Sequence, residues 1–184
     1  LGQRPAIKGG YALLGIARPS SLPLRAIAEP FLRRVAEGSG DSTALTVRSG
    51  PDSICVDRCL GSHPIQVMPV VVGARLPLGV GVGGLALLAF LPDWEGEALL
   101  RRNQARLARR GLAPADLRAR LLQVRRLGYA FTDAGVVPGT HVLAVPVFDA
   151  AGTPVAALSV SAMAARLPLA RARRLRQPRR HRQR

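Results

Sequence analysis

The sequence predicts an α+β fold: a mainly antiparallel sheet with helices packed against it. Three observations lead there. Segments of helical and strand-like periodicity follow the order helix, strands, helices, strands, without the strand–helix alternation that a parallel sheet needs. Short turn sequences, Ser49-Gly50-Pro51-Asp52 and Asp149-Ala150-Ala151-Gly152, join neighbouring strand-like runs as hairpins. The 184 residues suffice for one core but are few for two large domains.

Residues 1 to 10 show no periodicity and read as a linker from something upstream. Ser20 and Ser21 can cap a helix in which Leu24, Ile27, Phe31 and Val35 recur at helical spacing, ending near Gly38 and kinked at Pro30. Ser42 to Arg48 and Ile54 to Leu60 form the first hairpin, and Ile65 to Val72 reads as a further strand, at an edge or bulged because of Pro69. Gly81 to Phe90 is apolar all round and predicts a buried helix; a charged helix begins at Asp93 and runs toward Arg110. The next helix has Pro114 in its first turn, Asp116 at the positive end of its dipole, an inner face of Leu117, Leu121 and Val124, and Gly128 at its close. Tyr129 to Thr132, His141 to Phe148 and Val155 to Ser161 are the closing strands.

The formal charge of +16 raises the question of a nucleic-acid or acidic-membrane partner. Nine arginines between Arg166 and Arg184, a stretch with no acid, carry nine of those charges and leave a body of +7. The terminal run contains no aromatic residue for base stacking, so it is expected to be a solvated tail; non-specific contact with phosphates is its functional alternative. Cys55 and Cys59 suggest neither a disulfide framework nor a metal site, because His63, His141 and His181 lack ligand spacing. They are the only candidates for a redox enzyme, lying four apart and on one face of a regular strand. No Cys–His pair, paired carboxylates or Ser-His-Asp set supports catalysis, so no enzyme and no cofactor is expected. No secretory signal opens the chain, and the uncharged run Leu76 to Pro92 is too short and too interrupted to span a bilayer; the cytoplasm is the expected location, with no membrane partner.

The most informative segment is Arg75-Leu76-Pro77-Leu78-Gly79-Val80-Gly81-Val82-Gly83-Gly84-Leu85-Ala86-Leu87-Leu88-Ala89. Gly79, Gly81 and Gly84 spell GxGxxG, yet helical charges follow where a dinucleotide-binding unit would continue into a strand bearing an acid. The segment instead resembles the loop and helix of IclR-type bacterial transcriptional regulators. Further segments resemble that family in the same order: Tyr11 to Gly15, Leu24 to Leu32, Ser62-x-Pro64, Arg125 to Ala130, and Leu143 to Ser161. The likeness covers roughly residues 11 to 161.

The resemblance implies a GAF-like (profilin-like) domain that encloses a pocket for a small organic or aromatic acid. It divides the chain into residues 1–15, a linker from a winged-helix DNA-binding domain not present in this chain; residues 16–166, the effector-binding domain; and the Arg-rich tail, residues 167–184. It also implies a dimer or tetramer that reaches DNA only through that separate domain. The family's effector contacts fall by position on Val82, Gly83, Thr132, Val142, Ser159 and Ser161, with Ile65, Met68 and Leu76 as apolar walls. The physics of the residues agrees: glycines leave amide groups bare at a helix start, and Ser159 and Ser161, two apart on a strand, present hydroxyls to one face. The alternatives stay open, since glycines at a helix start also serve close packing and strand serines are often ordinary satisfied hydroxyls. Gly79, Leu85, Val142 and Thr132 stand where relatives often carry polar side chains, which favours a less polar pocket and an aromatic or hydrophobic acid. An assembly module without a ligand is a further reading.

Overall fold

A computed structural model describes residues 24–132 and 137–175. The linker, the resemblance at Tyr11 to Gly15, the capping serines Ser20 and Ser21, and the last nine residues lie outside the described residues.

Helix α1 (Leu24–Ser39) continues through the exposed Pro30. Its fully buried stripe is Ala28, Leu32 and Ala36, whereas Ile27, Phe31 and Val35 are only half-buried, so the inner face is rotated by one residue from the expected one. Small alanines let the helix approach the sheet closely, and the Thr43 hydroxyl donates to the Leu32 carbonyl at 3.1 Å. Strands β1 (Ser42–Ser49) and β2 (Asp52–Cys59) form the expected antiparallel hairpin. Its register skips Val56, pairing Leu45 with Asp57 and Thr46 with Cys55, which marks a β-bulge.

The strand expected over Ile65 to Val72 does not form; the third strand, β3 (Arg75–Pro77), is short and lies after it. Pro64 and Pro69 have no amide hydrogen to offer a ladder, and side-chain bonds hold this segment instead. Gln66 accepts from the Ser42 hydroxyl at 2.6 Å and the Gly61 amide at 3.1 Å, and donates to the Gly40 carbonyl at 3.3 Å. Gly61 sits so near Gly40 that an added Cβ would stand 2.2 Å from the Gly40 carbonyl carbon.

Three helices follow: α2 (Gly81–Ala89), α3 (Asp93–Ala108) and α4 (Pro114–Leu127), the last closed by Gly128 in the left-handed region at φ 79°. Strands β4 (Ala130–Thr132), β5 (Thr140–Phe148) and β6 (Pro154–Met163) complete one six-stranded sheet in the order β3-β2-β1-β6-β5-β4, with every pairing antiparallel. The first and last strands of the sequence, β1 and β6, are neighbours at its centre.

Alternation along the strands sends side chains to two covered faces. One face packs under α2, α3 and α4, where Leu78, Leu85, Leu88, Leu107 and Leu117 gather over Val142, Ala144 and Ala157. The other packs under α1, with Leu32 against Leu45, Val147 and Ala156, and under a last helix, α5 (Leu169–Leu175).

This last helix corrects the expectation of a solvated tail from residue 167 onward. Leu167 and Ala172 are fully buried beside Tyr129, Leu143 and Ala162. Asp41, only 2% exposed, meets Arg166 at 2.9 Å through Oδ1 and Arg171 at 2.6 Å through Oδ2. The second contact is a close ion pair that lacks hydrogen-bond geometry at Oδ2. Arg171 also donates to the carbonyls of Ser39 and Arg166, both at 2.6 Å. A buried carboxylate needs such partners, so Arg166 and, within the segment assigned to the tail, Arg171 are structural.

Candidate functional site

The site grows from the glycine-rich entry to α2. Gly79 and Gly81 have φ of 99° and 68°, a region that favours glycine, and they turn the chain from β3 into the helix. Gly83 and Gly84 serve close approach: an added Cβ would lie 2.7 Å from Thr46 Oγ1 at the first and 3.0 Å from Ser53 Oγ at the second. The helix start therefore rests directly on β1 and β2. No side chain caps α2, so its first-turn amides carry the positive end of the dipole without a capping oxygen.

Neighbouring elements fix this entry in place. Asn103 of α3 donates to the Pro51 carbonyl at 2.6 Å, and Arg106 pairs with the buried Asp52 at 2.6 Å, anchoring α3 to the β1–β2 turn. Arg125 of α4 donates to the Ala89 and Leu91 carbonyls, satisfying the far end of α2. Leu107 and Leu117 reach to 3.6 Å of where a Gly79 side chain would begin, so the α3–α4 junction lies over the glycine loop.

Between sheet and junction is a cavity of about 320 Å³, at the lower end of the range for small-molecule sites. Seven of the nine residues named from the sequence line it: Val82, Gly83, Thr132, Val142, Ser159, Ser161 and Leu76. Ile65 and Met68 do not; Ile65 is 59% exposed, and Pro69 and Val70 of the same segment take the wall instead. Without a strand there, the segment follows an irregular path that brings Pro69 and Val70 rather than Ile65 and Met68 to the cavity.

Ser159 and Ser161 share the cavity face of β6, and both are more than nine-tenths buried. The Ser159 hydroxyl donates to the Ala44 carbonyl at 3.3 Å. The Ser161 hydroxyl has no hydrogen-bond partner among the described residues and looks into the cavity. Thr46 and Ser53 add two more hydroxyls, the latter donating to the Leu76 carbonyl at 3.3 Å. Among the described residues no carboxylate lines the cavity, whereas two cations do, Arg110 and Arg120. Sequence reading missed both, because in a chain this rich in arginine nothing local separates a cavity-lining guanidinium from a solvent-facing one.

The two cysteines do not share a face. Cys55 lines the cavity, while Cys59 packs into the cluster under α1, because the bulge at Val56 shifts the alternation between them. Burial pushes the Cys55 thiol above its ordinary range, which disfavours the reactive thiolate. Among the described residues no group of three or more His, Cys, Asp or Glu is placed to hold a metal, and no helix is long and apolar enough to cross a membrane.

Comparison with known proteins bears on this arrangement. The family description "Bacterial transcriptional regulator IclR C-terminal" matches residues 17–181. The chain is 33% identical over 150 residues to the Pca regulon regulatory protein of Pseudomonas putida, covering 80% of this chain and 52% of that protein. It is 30% identical over 164 residues to the transcriptional repressor IclR of Escherichia coli K12, covering 86% and 60%. Among solved structures, a putative transcriptional regulator from Rhodococcus sp. RHA1 superimposes with a TM-score of 0.71 at 33% identity, covering 89% of this chain and 64% of that one. The chain thus spans between half and three-fifths of the length of these curated relatives, which are regulators and not enzymes. A profile match over nearly the whole chain, together with the shared fold, shows that it belongs to the IclR family of bacterial transcriptional regulators and carries that family's C-terminal domain.

Proposed function

We propose that this domain senses a small organic acid and passes the event to a winged-helix DNA-binding domain. The observation that carries the reading is the pairing, across one cavity, of the uncapped first turn of α2 with the unpartnered, buried hydroxyl of Ser161. Amides at a helix start and a free hydroxyl are donors aimed at one space, and a carboxylate is the group that accepts from all of them. Val82, Val142, Leu76 and Val70 give the same space apolar walls for a short carbon skeleton.

An acid held there bridges α2 to the central strand β6. Because α2 also packs on α4, a shift at the helix start reaches the outer helices. The ligand changes the regulator only insofar as it binds one arrangement of these elements, or one pairing of copies, better than another. Exposed Leu60, Ile65, Val71 and Val72, within and beside the irregular segment before β3, offer apolar surface for pairing two copies in a dimer or tetramer.

Titration calorimetry against a panel of short-chain and aromatic acids tests the reading. Binding is expected for at least one class, with a matching rise in thermal midpoint. Replacing Ser159→Ala and Ser161→Ala together is expected to weaken that binding by about 1–3 kcal/mol, the usual cost of removing hydrogen bonds to a charged group. A flat response across the panel, with a stable dimer by light scattering, would leave an assembly role in its place.

A further inference from the structure

We infer that the cavity has a second anion-binding pole, made by Arg110 and Arg120, and that its ligand carries a carboxylate at each end. This rests on the reading of the cavity as an acid site and specifies the class of acid.

The floor and the roof of the cavity are chemically distinct. Thr46, Ser159 and Ser161 form a floor of neutral hydroxyls on β1 and β6, beside the α2 amides. Arg110, Leu112 and Arg120 come from the α3–α4 junction above the glycine loop. Asn103 and Arg106 fasten α3 to Pro51 and Asp52, and Arg110 lies in the turn that follows the helix, its amide donating to the Leu107 carbonyl at 2.9 Å. Arg120 belongs to α4, whose start lies beside Gly79 through Leu117.

Charge pairing sets these two residues apart from their neighbours. Arg106 is paired with Asp52 and Arg118 bidentately with Glu97, whereas Asp116, on the first turn of α4, forms no ion pair with Arg120. Among the described residues neither Arg110 nor Arg120 has a side-chain hydrogen bond or ion pair, and no acid lines the cavity to neutralise them. Solvent-facing arginines elsewhere on the molecule also lack partners. These two differ in bordering a partly open, partly apolar cavity, the half-buried Arg120 and the exposed Arg110, where a planar guanidinium can bind a carboxylate bidentately.

A monocarboxylate would satisfy one pole and leave the other empty. A compact dicarboxylate satisfies the amides and the Ser161 hydroxyl with one end and the guanidiniums with the other, while its methylenes meet Val82, Val142 and Leu76. The modest volume of the cavity sets the scale at a short chain.

The experiment compares matched pairs of acids on the intact chain by calorimetry: succinate with butyrate, glutarate with pentanoate, adipate with hexanoate. At least one diacid is expected to bind tenfold or more tighter than its monoacid. The double variant Arg110→Gln/Arg120→Gln is expected to bring that ratio to within about threefold, the diacid losing more affinity than the monoacid. Both side chains lack partners, so the variant's unfolding midpoint should match the parent's. The variant Ser159→Ala/Ser161→Ala should weaken diacid and monoacid alike. Equal binding of diacid and monoacid by the parent, or a preference that survives in the arginine variant, overturns the second pole and leaves the acid site standing. If none of the six acids binds at millimolar concentration, the acid site itself fails and the second pole with it.

Discussion

The two faces of the central sheet use the same strands for opposite ends. Under α1 and α5 the space is filled: Leu32, Leu45, Leu167 and Ala172 are buried, and the buried acid Asp41 is held by two arginines. Under α2 and the α3–α4 junction a space is left open, and part of its polar lining, Ser161, Arg110 and Arg120, has no side-chain partner among the described residues. Adjacent residues of one strand are divided between these regimes, Val160 and Ala162 packed, Ser159 and Ser161 facing the cavity. A protein that keeps donors unsatisfied on one face needs its stability from the other.

That division can be broken most severely on the filled face. Removing both Arg166 and Arg171 by substitution to Ala leaves Asp41 without a counter-ion in a site that is 98% buried, and is expected to cost about 3 kcal/mol or more in chemical denaturation. Acid binding by the surviving folded fraction should be unchanged. A stability within 0.5 kcal/mol of the parent, roughly the level of an ordinary surface substitution, would show that α5 is dispensable.

Next in size is Gly83→Ala, on the cavity face, which tests packing and binding at once. Its Cβ would stand 2.7 Å from Thr46 Oγ1 and 3.0 Å from Thr46 Cβ, so the helix start must lift from β1 at an expected cost of about 1–3 kcal/mol. Because the lifted amides lose their aim, acid affinity should fall as well, and calorimetry together with denaturation would read both losses in one variant. Unchanged affinity alongside reduced stability would mean that the glycine serves packing alone.

A smaller stability effect sharpens the comparison. The double Ser159→Ala/Ser161→Ala variant should unfold within about 1 kcal/mol of the parent, since one hydroxyl makes a single long bond and the other none among the described residues. A site residue of this kind is recognised by losing affinity without losing the fold.

The smallest effect concerns Cys55. Its raised thiol pKa means that the folded protein keeps the proton where the unfolded chain, with an ordinary value of 9.0, releases it. The resulting stabilisation is complete below about pH 9 and is lost as pH rises through the folded value. The stability gap between the parent and Cys55→Val should therefore narrow as pH rises above 9. At neutral pH a thiol reagent should modify Cys59 ahead of Cys55, and equal rates would show that the cavity face is open to solvent.

Much of this was legible in the sequence, and what failed did so for identifiable reasons. The hairpin turns, the all-apolar helix from Gly81 and the Gly128 stop were readable because turn chemistry and periodicity act within a few residues. Ile65 to Val72 looked like a strand by composition, yet its prolines lack ladder donors and Gln66 supplied another set of bonds. The arginines near the end looked uniform, but only those within reach of Asp41 became structural.

The sequence by itself determined the antiparallel α+β plan, the glycine-led helix and the one-face placement of Ser159 and Ser161, because each follows from backbone geometry over short spans. Only the tertiary structure decided that Arg110 and Arg120 border the same cavity, that the bulge parts Cys55 from Cys59, and that α5 is pinned to Asp41. Those outcomes depend on which distant segments meet, and charge on an arginine carries no information about its neighbour until the chain has closed around it.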